Sequence, residues 1–330
     1  MSAYNVPGRA DVHVDRPLTE ISIAFRQSAD MFVADRVFPV VPVQKQTDSY
    51  FTIPRGAFFR DQMEKKAPGA APAVANFNYS TDTYRADIWA LAVMLADEIR
   101  ANYDSPLQAD SDMTNFLTHQ GLIRKERLWA STYFGASVWT QDFAGVSGTP
   151  SGDQFKQWND AASTPIEDVR AGKRRIHART GLRPNKMVLG REVYDTLIDH
   201  PDLVGRLDQG QTSGPALVKR EALAALFELE EILVMDAIYN SAIEGATDVL
   251  GFIGGKSALL VHTPASPGLM TASAGYTFSW VGLLGGGALG MNMRRIRDDR
   301  KSSDELIAQL AFDHKLVSAD LGSFFATAIA

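Results

Sequence analysis

The feature that most constrains this chain is a pair of strand-like segments separated by a long polar tip, between residues 45 and 87. Thr47 to Arg55 contains Ser49-Tyr50-Phe51-Thr52-Ile53-Pro54-Arg55, and from Val74 to Tyr84 the residues Phe77, Tyr79, Thr81 and Thr83 alternate with Asn76, Asn78, Ser80 and Asp82. Alternation of this kind puts each set on its own face of a strand, so the segments read as the two arms of one hairpin. The tip, Gly56 to Ala73, is rich in alanine, proline and glycine, carries Asp61, Glu64, Lys65 and Lys66, and is too long for a tight turn. A two-stranded hairpin is at best marginally stable in water by itself. One this long needs a further surface, and a second copy of the chain is the natural one.

The segment before it has the same need. Residues 1–40 mix polar side chains with isolated apolar ones and contain Pro7, Pro17 and Pro39, with room for one short helix over Ile21 to Phe32. Such a stretch cannot bury enough apolar surface of its own to offset the entropy of ordering. Ile21, Ile23, Phe25, Met31 and Phe32 are therefore expected to pack on something else.

Composition narrows the function. A formal charge of -6 and a pI near 5.6 argue against a broad basic face for nucleic acid, without excluding a local one. Zero cysteines remove thiolate chemistry, disulfides and cysteine-based metal sites. Arg9, Asp11, His13 and Asp15 stand where a secretory signal would need an apolar run. The apolar runs Ile88 to Ala96 and Gly282 to Met291 are about half the ~20 residues of a membrane helix. A soluble chain that starts in a cytoplasm and makes no membrane contact is expected.

Further along, Ser105-Pro106-Leu107-Gln108 has a capping residue, proline at the first helical position and glutamine at the third, which predicts a helix to about Phe134. Met113, Phe116, Leu117, Ile123, Leu128 and Trp129 give it an apolar side, and Arg124, Lys125, Glu126 and Arg127 are read as its solvated one. After a loop zone at 144–164, Thr164-Pro165-Ile166-Glu167 repeats the signature and starts a helix ending near Gly181. A strand at 186–189, helices at 191–198 and 218–227 and a strand at 231–235 make an α/β region. Runs at 249–253, 258–262, 276–280, 290–297 and 305–318 read as mainly antiparallel strands.

This order of arm, long hairpin, spine helix, mixed α/β domain and returning strands resembles, end to end, the major capsid proteins of tailed bacteriophages. Within it, NKMVLGREVYDTLIDHPDLVGRL at 185–207, ALAALFELEEILVMDAIYNSA at 222–242 and FIGGKSALLVHTP at 252–264 are similar to that family's strand and helix units. The resemblance implies an α+β chain of the Hong Kong 97 fold: arm 1–44, extended hairpin loop 45–87, peripheral domain 88–159 with 266–330, and axial domain 160–265. It also implies hexamers and pentamers of the chain in an icosahedral head that encloses double-stranded DNA. The partners would be a separate scaffolding protein, since the chain reaches its arm at once, a portal, and a decoration protein. Localisation would be the virion, after assembly in the host cytoplasm. An encapsulin-like compartment shell is the nearest alternative. The intersubunit contact candidates are Ile21, Phe25 and Phe32 on the arm; Tyr50, Phe51, Phe58, Phe59, Lys65, Lys66, Phe77 and Tyr79 on the hairpin; and Arg174 and Arg175. Some members of the family crosslink a loop lysine to an asparagine, and Lys65 or Lys66 would be that lysine; a solvated tip making ordinary ion pairs is the preferred reading.

No catalytic, cofactor or metal site is expected. Gly251 to Ser257 is one residue short of a phosphate loop and runs into a strand-like stretch instead of a helix. Gly285 to Gly290 has dinucleotide spacing, but only about forty residues follow it, so a glycine turn is preferred to a nucleotide-binding enzyme. Histidines 13, 119, 177, 200, 262 and 314 show no metal-ligand spacing, and no serine stands in a GxSxG context. The cations Arg170, Lys173, Arg174, Arg175, Arg179 and Arg183 lack interleaved aromatics, so pairing with a neighbouring subunit is favoured over contact with DNA.

Overall fold

The computed structural model describes residues 27–52, 56, 58–75, 78–102, 109–208, 219–268, 271–284 and 290–330. A one-turn helix α1 (Ala34–Val37) leads into strand β1 (Val40–Val43), and β2 (Thr47–Thr52) and β3 (Ser80–Arg85) flank the hairpin tip. Strand β4 (Asp87–Ala96), helix α2 (Asp97–Ala101) and the spine helix α3 (Ala109–Tyr133) follow. At 25 residues the spine is roughly 37 Å long. Next come β5 (Gln141–Val146), β6 (Gln154–Lys156), α4 (Pro165–Thr180), β7 (Lys186–Gly190), α5 (Arg191–Ile198), α6 (Pro201–Asp208), α7 (Arg220–Leu226) and β8 (Glu231–Met235). The remainder is β9 (Ile238–Asn240), β10 (Leu250–Phe252), β11 (Ala258–Val261), β12 (Gly275–Trp280), α8 (Val281–Leu284), β13 (Met291–Asp298), β14 (Ser303–Leu316) and β15 (Gly322–Ala326).

Two sheets organise the chain. The six-stranded sheet has the order β6-β5-β15-β11-β7-β8. The inner strands β7 and β11 are buried along their whole length, and the edge strand β8 is buried from Ile232 to Met235, because both faces are covered, which is why Met187–Gly190, Ile232–Met235 and Ala258–Val261 read as continuous apolar runs. Alternate side chains divide between two cores. Met187, Leu189, Ile232, Val234, Leu260 and Phe325 face the cluster that includes residues of α4 to α7, while Val188, Leu233, Leu259, Val261 and Phe324 face the cluster of α1 and the end of α3. The sheet takes β5, β6 and β15 from outside 160–265, so its limits do not coincide with the boundaries that the resemblance draws at 159 and 266.

The five-stranded sheet is built on β14, whose residues 303–310 lie between β4 and β13 and whose residues 312–316 pair with β12. β1 joins β12 in parallel, with Val40 opposite Thr277. The spine crosses this sheet closely at Gly121: a β-carbon there would lie 2.3 Å from Met291 Cε and 3.0 Å from Leu310 Cδ1, so the glycine sets the approach. Helix α4 starts with proline in its first turn and stops at Gly181, whose φ of +69° is the left-handed conformation that ends helices.

The sequence places Lys125 and Glu126 on a solvated side of the spine, and the structure overturns this. Both are buried, while Phe116 from the supposed apolar side is half exposed. Their charges are used internally, as described next.

Candidate assembly surface

The root of the hairpin is fastened to its own subunit. Tyr50 donates its hydroxyl to Asp82 Oδ2 at 2.9 Å across the β2–β3 pair, and Tyr84 stacks on Phe278 of β12 with ring centroids 4.4 Å apart. Tyr50 lies 5.5 Å from the same Phe278 ring, and Lys315 Nζ is 3.6 Å from Asp82. Burial, then the bond to Asp82, raises the Tyr50 hydroxyl above its ordinary range. The Thr83 amide and Tyr50 hold Asp82 below the usual carboxylate range. Tyr50 is thus engaged by its own subunit.

Beyond the root, apolar side chains lose their cover. Phe51 is 74% exposed, Met63 93% and Val74 89%, and Phe51 meets the edge of exposed Tyr79 at 6.1 Å. Phe58 and Phe59 are also exposed. The Phe59 ring rests beside Gly181, about where a β-carbon on that glycine would come within 3.1 Å, yet most of the ring faces solvent. Lys65 and Lys66 are exposed in the tip. Phe77 lies outside the described residues. Exposed large apolar side chains gathered in one segment in this way mark an interaction surface.

Sequence reasoning missed a second such surface. β9 and β10 form a separate two-stranded sheet, and Ile243, Val249, Leu250 and Phe252 around it are exposed, Ile243 at 82%. The signal that could have found it is a short apolar strand, Leu250–Phe252, beside a Gly245 turn, a miniature of the larger hairpin.

The described end of the arm, residues 27–44, is held the other way, inside the subunit. Glu126 is fully buried, and its Oε2 accepts the backbone N–H groups of Val33 at 3.0 Å and Ala34 at 2.8 Å, satisfying donors at the start of α1. Burial, opposed by those two hydrogen bonds, pushes the Glu126 carboxyl up to about 7. Lys125 Nζ meets Asp35 at 2.6 Å. Phe32 is buried with its ring edge-on to His119 at 5.9 Å, and Val33, Val37 and Phe38 pack with Trp129 and Tyr133. Phe32 is therefore enclosed by its own chain instead of reaching a neighbour, because Glu126 and Lys125 draw the arm down onto the spine. Ile21 and Phe25 lie outside the described residues. At Gln27 the side-chain amide makes both backbone hydrogen bonds of Ile238, each 2.8 Å long, tying the arm to β9. Beneath the arm, His314 bonds Thr277 Oγ1 through Nδ1 at 2.8 Å, and burial lowers it to about 3, so it stays neutral.

The basic cluster is largely answered within the chain. Arg175 pairs with Asp153 at 2.5 Å and lies 4.6 Å over the Phe143 ring, so an aromatic does accompany it. Lys173 meets Glu228 at 3.0 Å and the Phe227 carbonyl at 2.7 Å, and Arg179 bonds Gln141 at 3.3 Å. Arg174 alone of the two named candidates is exposed and makes no ion pair among the described residues. A separate network joins Asp304 to Arg100, Arg295 and Arg297, with Asp97 and Asp110 around it. Those arginines, Arg100 first, hold the Asp304 carboxyl far below the ordinary range.

The near phosphate loop is a turn: Ser257 passes into β11, and the Lys256 ammonium bonds the Ala330 carbonyl at 2.5 Å. Gly285 to Leu289 lie outside the described residues, and Gly290 turns into β13 at φ +65°. Among the described residues no cluster of three or more His, Asp or Glu side chains is placed to hold a metal ion, and no helix is long and apolar enough to cross a membrane.

Comparison with known proteins places this geometry. Residues 148–274 match the family model described as phage major capsid protein E. The major capsid protein of Pseudomonas phage JBD67 is 27% identical, over 96% of this chain and 97% of its own. Among solved structures, a phage-related protein of Bordetella bronchiseptica superimposes with a TM-score of 0.68 at 22% identity, covering 92% of this chain and 93% of that one. The capsid of cyanophage P-SCSP1u follows with a TM-score of 0.61 at 11% identity over 98% and 99%. The encapsulin of Synechococcus elongatus shares the fold at a TM-score of 0.57 and 11% identity, over 94% and 93%. The fold is that of phage capsid subunits.

Proposed function

We infer that this chain is the major capsid protein of a phage, a structural subunit that associates with copies of itself to build the icosahedral head. The observation that carries the reading is the apolar hairpin which the subunit itself leaves uncovered, on a capsid fold that spans the chain. Removing Phe51, Met63 and Val74 from water requires a further surface, and a copy of the chain offers one in every subunit. Head-to-tail contacts of this type close into rings. A hairpin lying on its neighbour is expected to bring the total buried area of each subunit above the ~2,000 Å² of obligate interfaces.

The mechanism is mechanical. The described end of the arm and the root are fixed internally, and the tip is a part that exchanges water for a neighbour. Phe51, Phe58, Phe59 and Tyr79 act as anchors, Lys65 and Lys66 keep the tip soluble before assembly, and Arg174 supplies a charge to the adjoining subunit. In this reading hexamers and pentamers form in the host cytoplasm around a separate scaffolding protein, a portal takes one vertex, a decoration protein adds to the outside, and double-stranded DNA is packaged without sequence recognition. No catalysis is assigned to the chain.

Co-expression with the scaffold gene of the same genome, viewed by negative stain, tests this. The full chain is expected to give shells of one size, and deletion of residues 56–73 a folded chain without particles. Shells of ordinary size from the deletion would contradict the role of the hairpin. Enclosed DNA, as opposed to an enclosed enzyme, separates a phage head from an encapsulin.

A further inference from the structure

We propose that Arg124 and Arg127 form a binding site for the phosphodiester backbone of double-stranded DNA, where the spine helix meets the β9–β10 hairpin. Three positions apart on α3, the two residues lie on one side of the helix. The Arg124 guanidinium lies 3.9 Å over the Trp89 ring, and that of Arg127 lies 4.4 Å over the Tyr239 ring. Both line one pocket of about 280 Å³ with Ser131, Tyr239 and Ile253, and no acidic side chain is among the lining residues. Neither guanidinium has a carboxylate oxygen within 4.0 Å among the described residues. Arg100, Arg175, Arg191, Arg206, Arg295 and Arg297, by contrast, each hold an aspartate of their own chain.

Arg124 Nε is enclosed by the chain and meets no acceptor among the described residues, so an anion in the pocket would be met by the remaining N–H groups of the guanidinium. The aromatic faces hold both guanidinium planes in place, so little side-chain freedom is left to lose when an anion binds. Phosphate oxygens match the guanidinium fork in charge and geometry.

The choice of a phosphodiester rests on the reading of the chain as a shell around DNA. With a net charge of -6 the subunit as a whole repels a polyanion, so contact must come from local cations free of counter-charge. Duplex DNA offers one negative charge per ~1.7 Å of its length, so the pocket finds a phosphate at any register. Nothing in the pocket reads a base edge, and binding is indifferent to sequence.

The test titrates the full, unassembled chain with two fluorescent duplexes of different sequence over a series of NaCl concentrations. Removing both charges with R124Q and R127Q together is expected to reduce the slope of log K against log salt by about 1.8, equally on both duplexes, at ~0.9 per phosphate contact. R127Q alone, at the exposed member, removes about 0.9 and keeps the test valid should the double change unfold the chain, which circular dichroism reports. R124K with R127K preserves the slope, and R206Q, at an arginine already paired with Asp202, leaves it unchanged. An unaltered slope in the glutamine variants, or no measurable duplex binding by the parent chain, overturns the proposal. So does loss of shells with an unaltered slope, which assigns the arginines to a carboxylate of another copy. Shell formation by the parent chain is scored separately, so failure of the DNA site and failure of the capsid reading give different results.

Discussion

Replacing Glu126 with glutamine should remove a pH dependence that the arm clamp builds into the subunit. The Glu126 carboxyl has an ordinary value of 4.5 and is pushed up to about 7 by burial. The proton is therefore held more tightly in the folded chain by roughly 3 kcal/mol, at about 1.4 kcal/mol per factor of ten. Below pH 4.5 the group is protonated in both states and the stability that its protonated form confers is fully present. As pH rises from 4.5 to about 7 the unfolded chain has lost the proton while the folded chain keeps it, so stability falls, and above 7 the full amount is gone. Glutamine is neutral throughout and retains a carbonyl for the Val33 and Ala34 amides. Urea unfolding of the unassembled chain, followed by tryptophan fluorescence, should show E126Q gaining on the parent by up to ~3 kcal/mol between pH 4.5 and 8. Other titrating groups cancel in the difference. Profiles that run parallel within ~0.5 kcal/mol would refute the buried, raised carboxyl.

Two further outcomes follow from the same geometry. F51S with Y79S should leave the unfolding free energy within ~0.5 kcal/mol of the parent, as surface changes do, yet abolish particles in negative stain. Particles of normal yield would show that these rings do not anchor a neighbour. G181A forces a β-carbon into the left-handed conformation at φ +69° and against the Phe59 ring, and should cost about 1–2 kcal/mol in the same unfolding assay.

What the sequence discloses depends on whether the cause is local. β7, β8 and β11 are legible to within a residue or two because strands covered on both faces are apolar throughout. The ends of α4 are legible from Pro165 and Gly181, which act within one turn. β15 is not, since Phe324 and Phe325 acquire their pairing from Leu259 and Ala258, some 65 residues away, and from β5, farther still. Lys125 and Glu126 look like solvated charges because only the packed arm, about 90 residues upstream, gives them partners. The same limit governs the assembly surface: Phe32, Tyr50 and Phe51 are alike as letters, and their different fates depend on Phe278 and the spine, which no local pattern encodes.

β15 also governs timing. As an inner strand between β5 and β11 it completes the six-stranded sheet, and β5 lies about 180 residues upstream. During synthesis, residues 141–146 leave the ribosome long before 322–326, so the sheet keeps a gap between β5 and β11 until β15 has been made. Closure of this sheet is therefore expected to be a late step in folding, with unpaired strand edges exposed until then.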